Sequence, residues 1–331
     1  MCRPQVMIAL LTVCSLSLCV PVQLTAQETK PTYRLAYKFR ANQFAHYDVT
    51  YKARMRIQKG EVVQTSENVT LSRKHFRVVS VERDGSAVLE PVLDRVRMTA
   101  RFDDNPPRAF DSDDDKQTAE NKTNTDDENT DDNEKKKKKK KKKPTDPAYA
   151  RIRKAVGQPQ ARVKVSASGA LLRTIPLKGA VVAKPTKGKP QQSFLVVLPD
   201  QAIPIGHEWS GSEEPFEVQV AVAVGVRKNV KLKRRFELLS VEGNLATIES
   251  KVVMLTPVKD PKALMQLIQQ RPRGQIVFDL ERGLIVSQKL TVDETVFGSI
   301  GPGSKVRAVT SLVETLVPPE VVAAEQAKRK G

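Results

Sequence analysis

Imidazole serves both as a general base near neutral pH and as a metal ligand, and this chain has three histidines: His46, His75 and His207. They stand on different stretches with no HxH or HExxH spacing, so no local segment presents a ligand pair. The expectation is therefore no metal site, and His207 beside Trp209 reads as the start of a strand. Nucleophilic chemistry is no better provided for. Cys2, Cys14 and Cys19 all lie within the first 26 residues, and no GxSxG turn occurs to present a serine. The glycine-rich loop from Gly298 to Gly303 lacks the Lys-Ser/Thr ending of a phosphate cradle and reads as a hairpin connection. Carboxylate pairs such as Glu213-Glu214 and Asp293-Glu294 are of a kind that any chain offers, and Asp126 to Glu134 lacks the glycine-turned spacing of a calcium loop. No catalytic residue and no cofactor is expected, and the chain reads as a non-enzyme.

Charge is the one positive signal. Lys and Arg number 56 against 38 Asp and Glu, a formal charge of +18 over 331 residues. Lys52, Arg54 and Arg56 alternate along one strand face, Arg95, Arg97 and Arg101 along another, and Arg227, Lys228, Lys231, Lys233, Arg234 and Arg235 cluster around a later turn. Like charges in cross-strand register repel, so such faces call for counter-ions and form a candidate surface for an anionic ligand. Few aromatics are present for stacking on bases, which disfavours nucleic acid. Trp209 is the only tryptophan, which disfavours a carbohydrate platform.

Two stretches stand outside the folded body. Residues 1–26 combine the basic Arg3, an apolar run from Val6 to Val22 and a Leu24-Thr25-Ala26 cleavage site, the pattern of a secretory signal. Its removal takes every cysteine with it and predicts an exported, periplasmic or extracellular chain with no later transmembrane span. Residues 103–143 are acidic and then run into nine lysines, Lys135 to Lys143, with almost no apolar side chain to offset ordering entropy. Disorder is the expectation there. This tract holds 13 acidic and 12 basic residues, so the +18 belongs to the rest of the chain.

The elements that must position these charges are organised by an internal repeat. Val69-Thr70-Leu71, Phe76, Ser80-Val81-Glu82, a turn at Asp84-Gly85 and Ala87 to Glu90 match Val230-Lys231-Leu232, Phe236, Ser240-Val241-Glu242, a turn at Gly243-Asn244 and Ala246 to Glu249. Asp146-Pro147 and Asp260-Pro261 then each open a short helix, with Asp as cap and Pro at the first helical position. Each helix precedes a strand and a glycine turn, Val163 to Gly169 and Ile276 to Gly283. Strict alternation from Tyr47 to Gln58 predicts a one-sided strand, and Val218 to Val226 reads as one long valine-rich strand that is covered or sharply bent in the middle. The predicted fold is mainly β (α+β): duplicated curved antiparallel sheets, each covered by a short helix. Residues 27–190 form the first repeat, residues 191–318 the second, and residues 319–331 a flexible tail after Pro318-Pro319.

Leu198-Pro199 followed by Gly206-His207-Glu208-Trp209 and the valine-rich strand, in an exported strand-rich repeat, resembles an uncharacterised family of secreted, planctomycete-type bacterial proteins known only as a domain of unknown function. More distantly, the chain is similar to the LolA-like lipoprotein-carrier half-barrel. The first resemblance supplies no catalytic residues, and the second implies an apolar groove. Together with the charge, these features predict a protein that binds an apolar or anionic cell-envelope molecule, lipid or acidic glycan, through a basic curved sheet. The alternative is an interaction protein that docks another envelope protein through a sheet edge.

Overall fold

Alternating apolar and polar residues produce long antiparallel strands, and in the computed structural model those strands join into a single sheet. The structure describes residues 31–113, 147–177, 179, 195–212 and 214–328. The signal segment and the lysine run lie outside the described residues. A short β1 (Thr32–Tyr33) pairs with β8 (Ile203–Pro204) in a sheet of their own. The large sheet has 13 strands. Its first part holds β2 (Phe44–Lys59), β3 (Val62–Val81), β4 (Ala87–Phe102), β5 (Arg108–Asp111), β6 (Ala161–Val165) and β7 (Leu171–Pro176). Its second part holds β9 (Glu208–Ser210), β10 (Phe216–Ala223), β11 (Val226–Glu242), β12 (Leu245–Met254), β13 (Arg273–Asp279), β14 (Leu284–Phe297) and β15 (Ser304–Leu316). The order across the sheet is β10-β11-β12-β13-β14-β15-β2-β3-β4-β6-β7, with β5 on β4 and β9 on β11. Instead of two separate sheets, β15 pairs with β2 from Ser304↔Lys59 to Leu316↔Tyr47 and fuses both parts into one.

The apolar side of this sheet closes on itself. One core cluster draws Phe76, Val78, Ala87, Leu89, Val163 and Val165 from β3, β4 and β6, and Phe236, Leu238, Ala246, Ile248, Ile276 and Phe278 from β11, β12 and β13. The two groups of strands are separated in the sheet by β14, β15 and β2, so it must curl for them to share a core. Leu35, Tyr37 and Phe39 of the leading segment complete the filling, with Tyr37 stacked on Phe39 and edge-on to Phe278. The ladders also break at matching places. Register shifts fall between Val78 and Ser80 and between Leu238 and Ser240, and again between Lys164 and Val165 and between Val277 and Phe278.

Among the described residues three α-helices sit against the sheet: α1 (Pro147–Ala155), α2 (Pro261–Leu267) and α3 (Pro319–Lys328). The Asp260 side chain caps α2 by accepting from the Lys262 N–H at 2.9 Å. Ala263 and Leu267 of α2 are buried on Val220, Val230 and Leu232. Tyr149 of α1 stacks on Phe110 of β5, ring centres 4.8 Å apart.

Three expectations need correction. The valine-rich stretch is two strands: β10 ends at Ala223, Gly225 turns with φ +72°, and β11 begins at Val226. Without a Cβ, glycine enters that left-handed conformation at little cost, so the small residues there mark a reversal of the chain. The start of the expected disordered tract is ordered through β5, because Phe110 buries its ring and Asp111 makes two ion pairs. The expected flexible tail is helical over Pro319–Lys328, where Pro319 opens the helix, Glu320 lies in its first turn and alanines follow.

Candidate functional site

The hairpin of β2 and β3 turns at Gly60-Glu61, and its register runs without a break from Lys59↔Val62 to Phe44↔Arg77. That register sets His46 directly opposite His75. On β4, Asp94 falls between Leu93, paired with Lys74, and Arg95, paired with Arg73; it is the extra residue of a bulge. A bulge re-aims a side chain, and here the carboxyl reaches both imidazoles. Nδ1 of His75 lies 2.7 Å from Asp94 Oδ1, and Nδ1 of His46 lies 3.7 Å from Oδ2. The second distance is beyond a hydrogen bond, and Oδ2 is buried without a hydrogen-bond partner. Phe44 stacks on His46, and the two imidazole centres are 4.8 Å apart. Both histidine side chains are only 16% exposed. Desolvation pushes the Asp94 pKa up, but its contacts with His46 and His75 outweigh this and the net shift is downward.

The sequence expectation placed the histidines on unrelated segments, and the cross-strand pairing corrects it for His46 and His75. His207 stays apart, immediately before β9. The available signal was the two-residue turn at Gly60-Glu61: once it is assigned, pairing across the hairpin brings residue 46 to residue 75. The bulge that delivers Asp94 has no comparable signature.

This cluster lines a groove of about 1400 Å³ between the sheet and α3. Phe44, Val49, Leu71, Leu284, Leu316, Val317 and Val322 supply apolar lining, with Phe44 51% and Leu71 42% exposed. Four arginines, Arg73, Arg95, Arg97 and Arg282, stand against three carboxylates, Asp48, Asp94 and Glu325. Arg73 holds α3 to the sheet by bonding Glu325 while its Nε and Nη2 donate to Asp48 at 2.7 and 2.8 Å. Arg95 pairs with Asp113 at 2.9 Å and Asp111 at 3.2 Å, and Arg97 with Asp111 at 2.6 Å. Arg282 is exposed and has no carboxylate partner among the described residues.

Of the predicted basic surface, the groove thus gathers Arg95 and Arg97. Lys52, Arg54 and Arg56 stay exposed further along β2, and Arg54 pairs with Glu67 at 3.2 Å. Arg101 shares Glu67 at 2.8 Å. Around β11, Arg227 donates to Gln219 at 2.9 Å, Lys228 to the Pro257 carbonyl at 3.3 Å, and Arg235 lies 3.8 Å from Glu208. Lys231 is exposed, Lys233 and Arg234 are half-buried, and burial lowers the Arg234 pKa. Carboxylates therefore meet Arg54, Arg95, Arg97, Arg101 and Arg235 of this surface.

No family model matches the chain, and no curated protein matches it. Among solved structures it is similar to lipovitellin, in an entry describing its lipid–protein interactions, at 9% identity and a TM-score of 0.42. That match covers 85% of this chain and 26% of the lipovitellin chain. A DUF1329 family protein from Desulfovibrio piger matches at 10% identity and a TM-score of 0.14, over 81% of this chain and 83% of that one. Both superpositions are too loose to bear on function. Among the described residues no helix is long and apolar enough to cross a membrane.

Proposed function

We propose that this is an exported, non-enzymatic binding protein that holds an anionic lipid of the cell envelope in the groove under α3. The observation that carries this reading is the groove itself: about 1400 Å³, with exposed Phe44 and Leu71 and four arginines on one lining. It exceeds the roughly 300–1,000 Å³ usual for small-ligand pockets. Apolar walls would take the chain, and Arg282, without a carboxylate partner among the described residues, would meet the headgroup. The matched core residues and matched register shifts of the two parts support descent from a duplicated unit, hairpin, helix and hairpin in the same order.

The test is binding of phosphatidylglycerol against phosphatidylcholine of identical chains. Preference for the anionic lipid, weakening with salt as screening requires, is expected. Arg282→Glu should reduce that preference, and Val322→Asp should weaken binding of both lipids. Absence of binding, or binding indifferent to both substitutions, would remove the reading. A second reading, docking of an envelope protein on a sheet edge, is favoured by β10 and β7 as the terminal strands of the sheet among the described residues, Gln266 covering the β10 edge only at Ala221, and by the fully exposed Val224 beside β10. A lipid-free protein that pulls down one partner through β10 would support it instead.

A further inference from the structure

We propose that His46, His75 and Asp94 bind one zinc-class divalent cation, leaving its remaining coordination position open to the groove. The ligand set is chemically apt: two imidazoles and a carboxylate, with a further position for water or an incoming group, is one of the compositions of an open zinc site. The donor atoms already lie within 4.8 Å of one another. Tetrahedral coordination at about 2.0–2.1 Å per bond asks for edges of roughly 3.3 Å. The imidazoles face different oxygens of Asp94, His75 at 2.7 Å from Oδ1 and His46 at 3.7 Å from Oδ2, and the donor set spans up to 4.8 Å, so side-chain rotations that draw the three donors together complete the site.

The charge balance points the same way. Asp48 and Glu325 are held by Arg73, and Asp111 and Asp113 by Arg95 and Arg97. Asp94 has only the two histidines among the described residues, and its Oδ2 is buried without a hydrogen bond. A carboxylate oxygen buried without a hydrogen bond is unfavourable, and a metal shared with the imidazoles would satisfy it. The frame is rigid where it must be: His46 and His75 are locked opposite each other in an unbroken ladder, and Phe44 packs on both rings. None of this depends on what fills the groove, so the lipid reading and the metal site stand or fall separately.

The experiment is a calorimetric titration of the tag-free mature chain, stripped with chelator and desalted, with zinc chloride alone. One equivalent should bind saturably. His46→Ala, His75→Ala and Asp94→Asn should each weaken that step by more than the about 100-fold at the upper end for losing an outer-shell partner. His207→Ala should leave it unchanged. X-ray absorption of the wild-type zinc complex provides a readout that needs no variant to fold, and should show two imidazole ligands. Coordination by oxygen alone, absence of a saturable equivalent, or undiminished binding in a folded His46→Ala/His75→Ala double variant would each overturn the proposal, the last assigning the metal to the acidic tract.

Discussion

Asp111 sits between the guanidinium groups of Arg95 and Arg97, and its side chain is only 10% exposed. Burial pushes its pKa up, but the Asp113 N–H and the two arginines outweigh this and leave it below the ordinary carboxylate value. A carboxyl whose folded pKa is depressed contributes stability above its unfolded pKa, about 3.9, and loses it as pH falls through the lower folded value. Asp111→Asn should therefore lower Tm by a few degrees near neutral pH, with the deficit shrinking below about pH 3. Thermal melts of both proteins across that range check this; a constant deficit at every pH would assign the loss to packing rather than charge.

Among the elements, β5 ties the low-complexity tract to the fold. Phe110 is buried, stacks on Tyr149 of α1 and lies beneath the Arg153 guanidinium, while the strand pairs with β4 from Arg97↔Asp111 to Ala100↔Arg108. Two deletions separate this strand from the lysine run. Replacing residues 114–143 with a short glycine-serine linker should leave Tm unchanged. Removing residues 103–143 should lower it by several degrees, because it takes away a buried ring and frees Arg95 and Arg97 of their partners. Equal effects of the two deletions, followed by circular dichroism, would show that β5 contributes nothing.

For the whole molecule, the decisive fact is that one core draws on both parts of the chain. Phe76, Leu89 and Val165 pack in the same cluster as Phe236, Ile248 and Phe278, and β15 of the second part pairs with β2 of the first along thirteen residues. Unfolding should then be a single calorimetric transition with equal calorimetric and van't Hoff enthalpies. Residues 191–331 expressed alone should lack a cooperative transition, since half of their core partners are gone. Two resolved transitions in the full chain would contradict a shared core.

Local order was determined by the sequence itself. Alternation along Tyr47 to Gln58, the turns at Asp84-Gly85 and Gly243-Asn244 and the Asp260-Pro261 cap each act within a few residues, and each stands where its pattern implies. Charge could be counted but only partly paired: the turn at Gly60-Glu61 that sets His46 opposite His75 also sets Arg54 opposite Glu67, whereas Asp111, the partner of Arg95 and Arg97, comes from the far side of a loop. The tertiary structure alone decided that β15 meets β2, that α3 folds back to Arg73, and that a bulge on β4 brings Asp94 to two histidines lying 29 residues apart in the chain. The physical reason is range. Backbone preference and alternation are properties of neighbours in sequence, whereas strand partners, bulges and groove walls are selected by which long-range burial lowers the free energy of the whole sheet.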